Sequence, residues 1–232
     1  MTHKPRPLID LLVSIVLPSA ILMKLSGDEY LGAVGALALA LAFPIGWGLY
    51  ELIRFRKKNF IALLGLISVL LTGGIGLLQL DTEWLAIKEA AIPAIIGIAV
   101  VISAQIGKPL IKVLLYNPVI MNTEKIDRIL RERGHENAFL GSLTKATYLL
   151  GGTFFFSAVM NYLLATWIVT SPTGSVAFNE ELGRMTLLSY PVIAIPSMIM
   201  MMTIFYLLWR RIHRLTGLQL EEMLVTPVAE KK

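Results

Sequence analysis

The chain has 232 residues, of which 56% are hydrophobic, a mean hydropathy of +0.70 and a net charge of +5 at pH 7. Because an ordinary soluble domain is close to half apolar, this composition excludes a typical soluble protein and indicates an integral membrane protein. The lack of Cys excludes disulfides, thiol redox chemistry and thiolate metal sites. The basic residues flank apolar runs, which indicates anionic membrane lipid, not nucleic acid, as their partner.

Six apolar runs predict an all-α polytopic protein with six transmembrane helices in a single integral membrane domain over residues 1–232. Every Lys and Arg except Lys24, Lys88 and Arg184 lies on one side of these runs, which the positive-inside rule makes cytoplasmic. Both termini are therefore predicted to be cytoplasmic (N-in, C-in), in a bacterial inner (plasma) membrane. Three spans followed by three more also have the parity of a 3+3 inverted arrangement. The predicted spans are residues 8–23, 30–53, 60–80, 84–105, 144–169 and 185–209.

The first two spans each carry one acidic residue near the cytoplasmic side. Asp10 lies near the start of the first span, and the absence of a small-x-small cleavage site after that span favours a retained helix over a cleaved signal peptide. The second span contains Pro44, which is expected to kink it, and ends at Glu51. A basic turn follows, with Arg54, Arg56, Lys57 and Lys58.

The third and fourth spans meet at an acidic outer turn. The small residues between Thr72 and Gly76 are expected to let another backbone approach closely. Lys88 and Glu89 follow one turn inside the fourth span. Because adjacent helical residues point about 100° apart, these two are not expected to face one another, and each needs another partner or water. If Lys88 faces the bundle, its expected partner is an acidic group from another helix.

Residues 106–143 form a predicted cytoplasmic amphipathic loop. A short helix is predicted over residues 123–133, with Thr123 as its N-cap and Gly134 as its stop. Its opposite face is basic, so the pattern fits both a helix lying on the inner leaflet and a soluble amphipathic connector. Its apolar face is predicted to consist of Ile126, Ile129 and Leu130.

The last two spans flank a predicted outer loop over residues 171–183. Asn161, in the fifth span, is interpreted either as an interhelical hydrogen-bonding residue or as a substrate contact. The sixth span contains Pro191, Pro196 and a Met-rich stretch that is typical of flexible packing between helices. A mixed-charge tail then ends the chain on the cytoplasmic side.

Residues 72–111 resemble the centre of the bacterial intracellular septation protein A family, a group of small inner-membrane proteins. The shared elements are a Gly-rich end to a span, an acidic outer turn, a Lys one turn into the next span, and a Ser-x-Gln group followed by Lys-Pro-Leu-Ile. The resemblance implies a divergent relative with a role in envelope synthesis, septation or envelope integrity, and with no established enzymatic reaction. The residues that carry it are Gly73, Gly74, Asp81, Lys88, Ser103, Gln105, Lys108, Pro109, Leu110 and Ile111.

Two sets of residues are candidates for a functional site. The first set would line a polar or substrate pathway within the membrane, although snorkelling or interfacial pairing also explains its charges. It consists of Lys88, Glu89, Asp10, Glu51, Gln105 and Asn161. The second set would contact anionic lipid of the cytoplasmic leaflet or a phosphorylated lipid-linked precursor, or would only anchor the helices. It consists of Arg54, Arg56, Lys57, Lys58, Lys108 and Lys112.

Motif analysis predicts that the chain is not an enzyme. The sequence contains no P-loop, GxGxxG, HExxH or GxSxG motif, and its three His residues have no metal-ligand spacing. We therefore predict no catalytic residues, no metal site and no cofactor. The first functional hypothesis is an envelope- or septation-related binding or scaffolding role, with envelope-synthesis or division proteins as partners. The second is a small transporter, lipid flippase or channel, as a homodimer because six spans leave little room for a pathway.

Overall fold

The computed structural model describes residues 12–55 and 60–225, and their side chains apart from those of residues 13–14, 51–55 and 60–66. This part of the chain is mainly helical, and its only β pairing is an isolated bridge between Met121 and Leu224. Two five-residue π-helices also occur, at Leu12–Val16 and at Tyr190–Ala194. The helices are α1 (Leu17–Lys24), α2 (Gly32–Phe55), α3 (Phe60–Leu77), α4 (Thr82–Gln105), α5 (Ile111–Leu114), α6 (Thr123–Glu132), α7 (Glu136–Ile168), α8 (Val176–Ser189), α9 (Ile195–Thr216) and α10 (Leu220–Met223).

Four stretches of the described residues are long and apolar enough to cross a membrane, namely Gly32–Tyr50, Thr82–Gln105, Glu136–Ile168 and Val176–Thr216. They confirm the predicted all-helical class and indicate a multi-pass membrane protein. A shorter apolar helix covers Ile67–Leu77. All six predicted runs coincide with helical structure where the chain is described, whereas the number of crossings and their direction stay predictions.

The outer loop predicted over residues 171–183 is wrong in its second half, because α8 begins at Val176. Ser175 caps this helix, and its Oγ accepts a hydrogen bond of 3.1 Å from the backbone N–H of Phe178. Polar residues near the start of α8 give it the appearance of a loop. Its apolar residues are nevertheless spaced for one helical face, and Phe178 and Leu182 are buried on that face.

The described chain forms two compact units. Unit 1 contains the chain up to Ala91 together with Val159–Ala194, and unit 2 contains Ile92–Ala158 and the chain from Ile195 onward. In unit 1, α1 packs against α2 and α8, and α2 also packs against α3. Gly183 permits the close approach of α8 to α1, because a Cβ at this position would lie 2.9 Å from the carbonyl oxygen of Ser19. Any larger residue there must move the backbones apart.

Unit 2 contains a folded region that we call the connector cap, defined as residues 111–143 together with residues 210–225. Backbone hydrogen bonds tie its two parts together, from Asn122 to Met223 (2.7 Å) and from Val225 to Ile120 (3.1 Å). An ion pair of 3.0 Å between Lys125 and Glu222 adds to them. The cap has its own core, whose fully buried side chains include Ile111, Met121, Ile126, Leu130, Ile212 and Met223.

The short helix predicted inside this region is confirmed as α6, with one correction at its start. Its N-cap is Asn122 and not Thr123, since the Asn122 side chain accepts a hydrogen bond from the backbone N–H of Lys125. Gly134 follows the helix with a φ of +68°, a left-handed conformation that suits glycine. The apolar face of α6 packs into the core of the cap, which favours the connector interpretation over a helix lying on lipid.

Candidate functional site

A buried ammonium group lies between α3 and α4 in unit 1. Lys88 stands two turns into α4, and only 7% of its side chain is exposed. Its Nζ donates to Thr72 Oγ1 at 2.6 Å and to Ser68 Oγ at 3.4 Å, two hydroxyls that share one face of α3. Its third partner is Glu89 Oε1, at 2.6 Å. We call these four residues the Lys88 cluster.

The expectation that Lys88 and Glu89 do not face one another is wrong. Their Cβ atoms diverge on the helix, but the four-carbon stem of a lysine lets its ammonium return to the carboxylate of the next residue. The expected acidic partner from another helix is also absent from the described contacts of Lys88. Its place is taken by the hydroxyls of Ser68 and Thr72.

The Lys88 cluster is neutral overall and its donors are used. An ammonium has three N–H groups, and each has an acceptor here. Thr72 in turn donates its own hydroxyl to the carbonyl oxygen of Ser68, at 3.0 Å. The cluster therefore joins α3 to α4 through satisfied hydrogen bonds. It leaves no free ammonium donor for a substrate.

A second buried polar group in unit 1 was missed by the sequence reasoning. Asn179 of α8 is fully buried, and its Nδ2 donates to Ser26 Oγ (3.0 Å) and to the carbonyl oxygen of Ala33 (2.7 Å). The Ser26 hydroxyl in turn donates a hydrogen bond of 2.7 Å to the carbonyl oxygen of Leu22. Among the described residues, Asn179 Oδ1 and the buried Ser19 Oγ have no hydrogen-bond partner. Asn179 was missed because it was assigned to a loop. Its spacing of four residues from Gly183, which puts both on one face of a helix, was a signal that the sequence offered.

The other residues predicted to line a polar pathway do not join the Lys88 cluster through any described contact. Gln105 is exposed at the end of α4, and Asn161 is half-buried in α7, where it interacts with another group. Asp10 lies outside the described residues, and Glu51 lies in α2 with its side chain outside them. Only Lys88 and Glu89 of this set are therefore seen together.

The predicted lipid contacts are only partly visible. Lys108 and Lys112 have exposed side chains in unit 2, as a contact with headgroups requires. Arg54 lies in α2 with its side chain outside the described part, and Arg56, Lys57 and Lys58 lie outside the described residues altogether. The set thus stays a prediction.

The connector cap holds a tyrosine with an unusual environment. The Tyr116 hydroxyl donates to Asp127 Oδ1 at 2.7 Å, and its ring meets the edge of the Phe139 ring at a centroid distance of 4.8 Å. Burial raises the pKa of Tyr116 well above its usual value, and the hydrogen bond and the charge of Asp127 raise the pKa further. Tyr116 is therefore a fixed donor at physiological pH. The concavity beside it measures about 350 Å³ and is also lined by Lys112 and Arg131.

Within residues 12–55 and 60–225, no three His, Asp or Glu side chains are close enough together to hold a metal ion. No protein-family model matches the sequence, and neither a curated protein nor a solved structure is detectably similar to it. The resemblance to the septation protein A family, which is strongest over residues 72–111, therefore stays a prediction.

Proposed function

We propose that this chain is a bacterial inner-membrane protein that works by binding other proteins of the cell envelope or the division machinery, with the connector cap as its binding part. The observation that carries the proposal is the cap itself. Antiparallel helices in a bundle are usually joined by about 2–8 residues, and longer connections are commonly functional. Here the connection from α4 to α7 runs from residue 106 to residue 135 and is folded.

The surface of the cap supports a role in binding. A concavity of about 630 Å³ on α6 is lined by charged and polar side chains of both signs, including Lys125, Asp127, Arg128 and Arg131. Lys125 is already paired with Glu222, whereas Arg128 and Arg131 are exposed and form no ion pair among the described residues. Because exposed, unpaired charges on a rigid helix are not needed for stability, they suit recognition of an acidic partner surface.

The proposal includes six membrane crossings with both termini in the cytoplasm. In that arrangement the cap lies on the cytoplasmic side, where division and precursor-synthesis proteins assemble. The Lys and Arg residues that flank the apolar runs on one side support that orientation. The resemblance of residues 72–111 supports an envelope- or septation-related setting. A homodimer is compatible with the same surface.

The proposal is tested by complementation in a bacterial strain that lacks the gene. We expect loss of the gene to alter cell length, septum spacing or resistance to envelope stress, measured by microscopy and growth. The cap variant R128Q/R131Q is expected to reach the membrane at normal levels but to fail to restore the phenotype. R184Q removes an equally exposed Arg from α8 and serves as the matched control. Full complementation by R128Q/R131Q would contradict a binding role for the cap.

A second candidate function, a small transporter, flippase or channel, is favoured by one observation. Asn179 Oδ1 and Ser19 Oγ are buried polar atoms without a described partner, and such atoms in a membrane-embedded core are costly unless water or a substrate reaches them. Since the chain contains no Cys, single Cys residues placed at 88, 89 and 179 report water access through impermeant thiol reagents. A transporter predicts labelling that changes with ligand, and complementation that fails for K88M or E89Q. Protection at all three positions together with normal complementation by K88M and E89Q would exclude it.

A further inference from the structure

A groove of about 570 Å³ runs between α7 and α9, within unit 2. On the α7 side, small residues leave space at the surface of the helix, among them Ala138, Gly141 and Ala146. A Cβ added at Gly141 would meet no atom within 4 Å, so the space above this glycine is open. The groove is therefore a real recess in the helix surface, and it does not arise from a gap between long side chains.

One end of the groove is basic and held in place. Arg211 of α9 is half-buried, and its Nε donates to Ser142 Oγ at 3.0 Å. Ser142 donates in turn to the carbonyl oxygen of Ala138, at 2.8 Å, which fixes the acceptor. A guanidinium has five N–H donors, so four remain beyond the one bonded to Ser142. Lys145 lines the same end, and neither cation forms an ion pair among the described residues.

The other end of the groove is apolar. Its walls are Leu149 of α7 and Ile204, Leu207 and Leu208 of α9. Leu149 and Leu207 are about half exposed, and so present hydrocarbon to whatever occupies the groove. The change from basic to apolar lining follows both helices in the same direction, since Lys145 precedes Leu149 and Arg211 follows Leu207 by one turn.

Aromatic residues mark the level of this change. Tyr148 and Tyr206 are about half exposed, and the ring of Tyr206 lies 5.5 Å from that of Trp209. Tyr and Trp collect where a membrane helix passes from hydrocarbon into the headgroup layer. From this pattern we expect the basic end of the groove at headgroup level and the apolar end at the level of acyl chains.

We propose that this groove binds one anionic phospholipid, with its phosphate on Arg211 and Lys145 and one acyl chain along Leu149 and Leu207. The fork of the Arg211 guanidinium matches two phosphate oxygens, and Lys145 adds a second positive charge. A free phosphate would bind at the basic end only. In a zwitterionic lipid, the cationic part of the headgroup would offset the attraction between the phosphate and the two basic side chains. The site is separate from the basic residues predicted from sequence, and it does not depend on the proposed binding role of the cap.

Native mass spectrometry of the purified full chain in detergent tests the proposal. The protein is titrated with phosphatidylglycerol or with phosphatidylcholine of identical acyl chains, and the fraction carrying one lipid is measured. Wild type is expected to bind phosphatidylglycerol about tenfold more tightly than phosphatidylcholine, because the choline cation of phosphatidylcholine lies beside the shared phosphate and repels Arg211 and Lys145. R211Q is expected to lose that preference. R210Q removes the neighbouring exposed Arg, which does not line the groove, and is expected to keep it.

A second variant tests the groove without changing charge. G141L places a side chain in the groove at a position where its Cβ meets no atom within 4 Å, and it is expected to reduce phosphatidylglycerol binding about as much as R211Q. Circular dichroism melts establish that each variant is folded, and G141L alone decides the question if R211Q is not. Equal binding by R211Q and R210Q, undiminished binding by G141L, or displacement of the lipid by free glycerol phosphate would each overturn the proposal.

Discussion

Replacing Glu89 with Gln is expected to destabilise the protein more than replacing Lys88 with Met, although both changes break the same ion pair. In E89Q the ammonium of Lys88 stays buried, with only two hydroxyls and a neutral amide as acceptors. In K88M the charge that remains belongs to Glu89, whose side chain is 24% exposed and can reach water. The hydroxyl of Thr72 also keeps its own acceptor, the carbonyl oxygen of Ser68.

The expected sizes of the two effects follow from this difference in exposure. Leaving a buried charge without its partner costs about 3–5 kcal/mol when burial is complete. Because the Gln oxygen still accepts a hydrogen bond, we expect about 2 kcal/mol for E89Q. For K88M we expect about 0–1 kcal/mol, because no buried donor is left unpaired. The double variant is expected to be close to K88M, so the coupling should equal the cost of E89Q, about 2 kcal/mol.

Equilibrium unfolding in mixed micelles with increasing sodium dodecyl sulfate, followed by tryptophan fluorescence, measures all three variants against wild type. A cost for K88M equal to or above that of E89Q would refute the assignment of Lys88 as the desolvated partner. Additive effects in the double variant would show that the two side chains do not interact.

Three further predictions concern the remaining packed groups. G183V is expected to lower the free energy of unfolding by about 1–3 kcal/mol in the same micelle assay, because its Cβ would press on the carbonyl oxygen of Ser19; a G183A cost equal to zero would contradict the close approach. N179A is expected to cost about 1–3 kcal/mol by removing two donors to buried acceptors, with unchanged stability as the contrary result. Since burial and then Asp127 raise the folded-state pKa of Tyr116, its contribution to stability is full below the ordinary tyrosine pKa of about 10 and is lost as pH rises above it. Above about pH 10 the free energy of unfolding should therefore fall less steeply with pH in Y116F than in wild type. Identical slopes for the two proteins would count against the hydrogen bond between Tyr116 and Asp127.

The helical class was predictable because apolar runs and helical caps are local signals. α4 begins within two residues of its predicted start and ends at Gln105 as predicted. α6 was predictable for the same reason, since its apolar residues recur at helical spacing before a stop glycine. The start of α8 was not, because Asn179 and the acidic residues beside it are hydrophilic when taken one at a time. Their helix depends on the Ser175 cap and on burial against other helices.

The candidate site was predictable in its location but not in its partners. A lysine within an apolar span is visible in the sequence, although the sequence left both snorkelling and burial open, and Lys88 is buried. Its acceptors were not visible, because a hydroxyl at Ser68 or Thr72 resembles any other small residue of a membrane helix until α3 is placed against α4. The groove beside Arg211 was not predictable, because it depends on small residues such as Gly141 lying opposite α9, and small residues carry no chemical signal in the sequence.

The pairing of the two parts of the connector cap, residues 111–143 and residues 210–225, has a consequence for synthesis. Asn122 binds the backbone of Met223, and Met223 fills the core of the cap, yet the two residues are separated by roughly 100 residues of chain. At about 5–20 residues per second, a ribosome needs roughly 5–20 s to make that segment. Until then the cap lacks one wall, and a chain that stops early cannot complete it. Completion of the cap therefore requires that α9 and the residues up to 225 have been made, so only molecules that contain them present a finished surface to a partner.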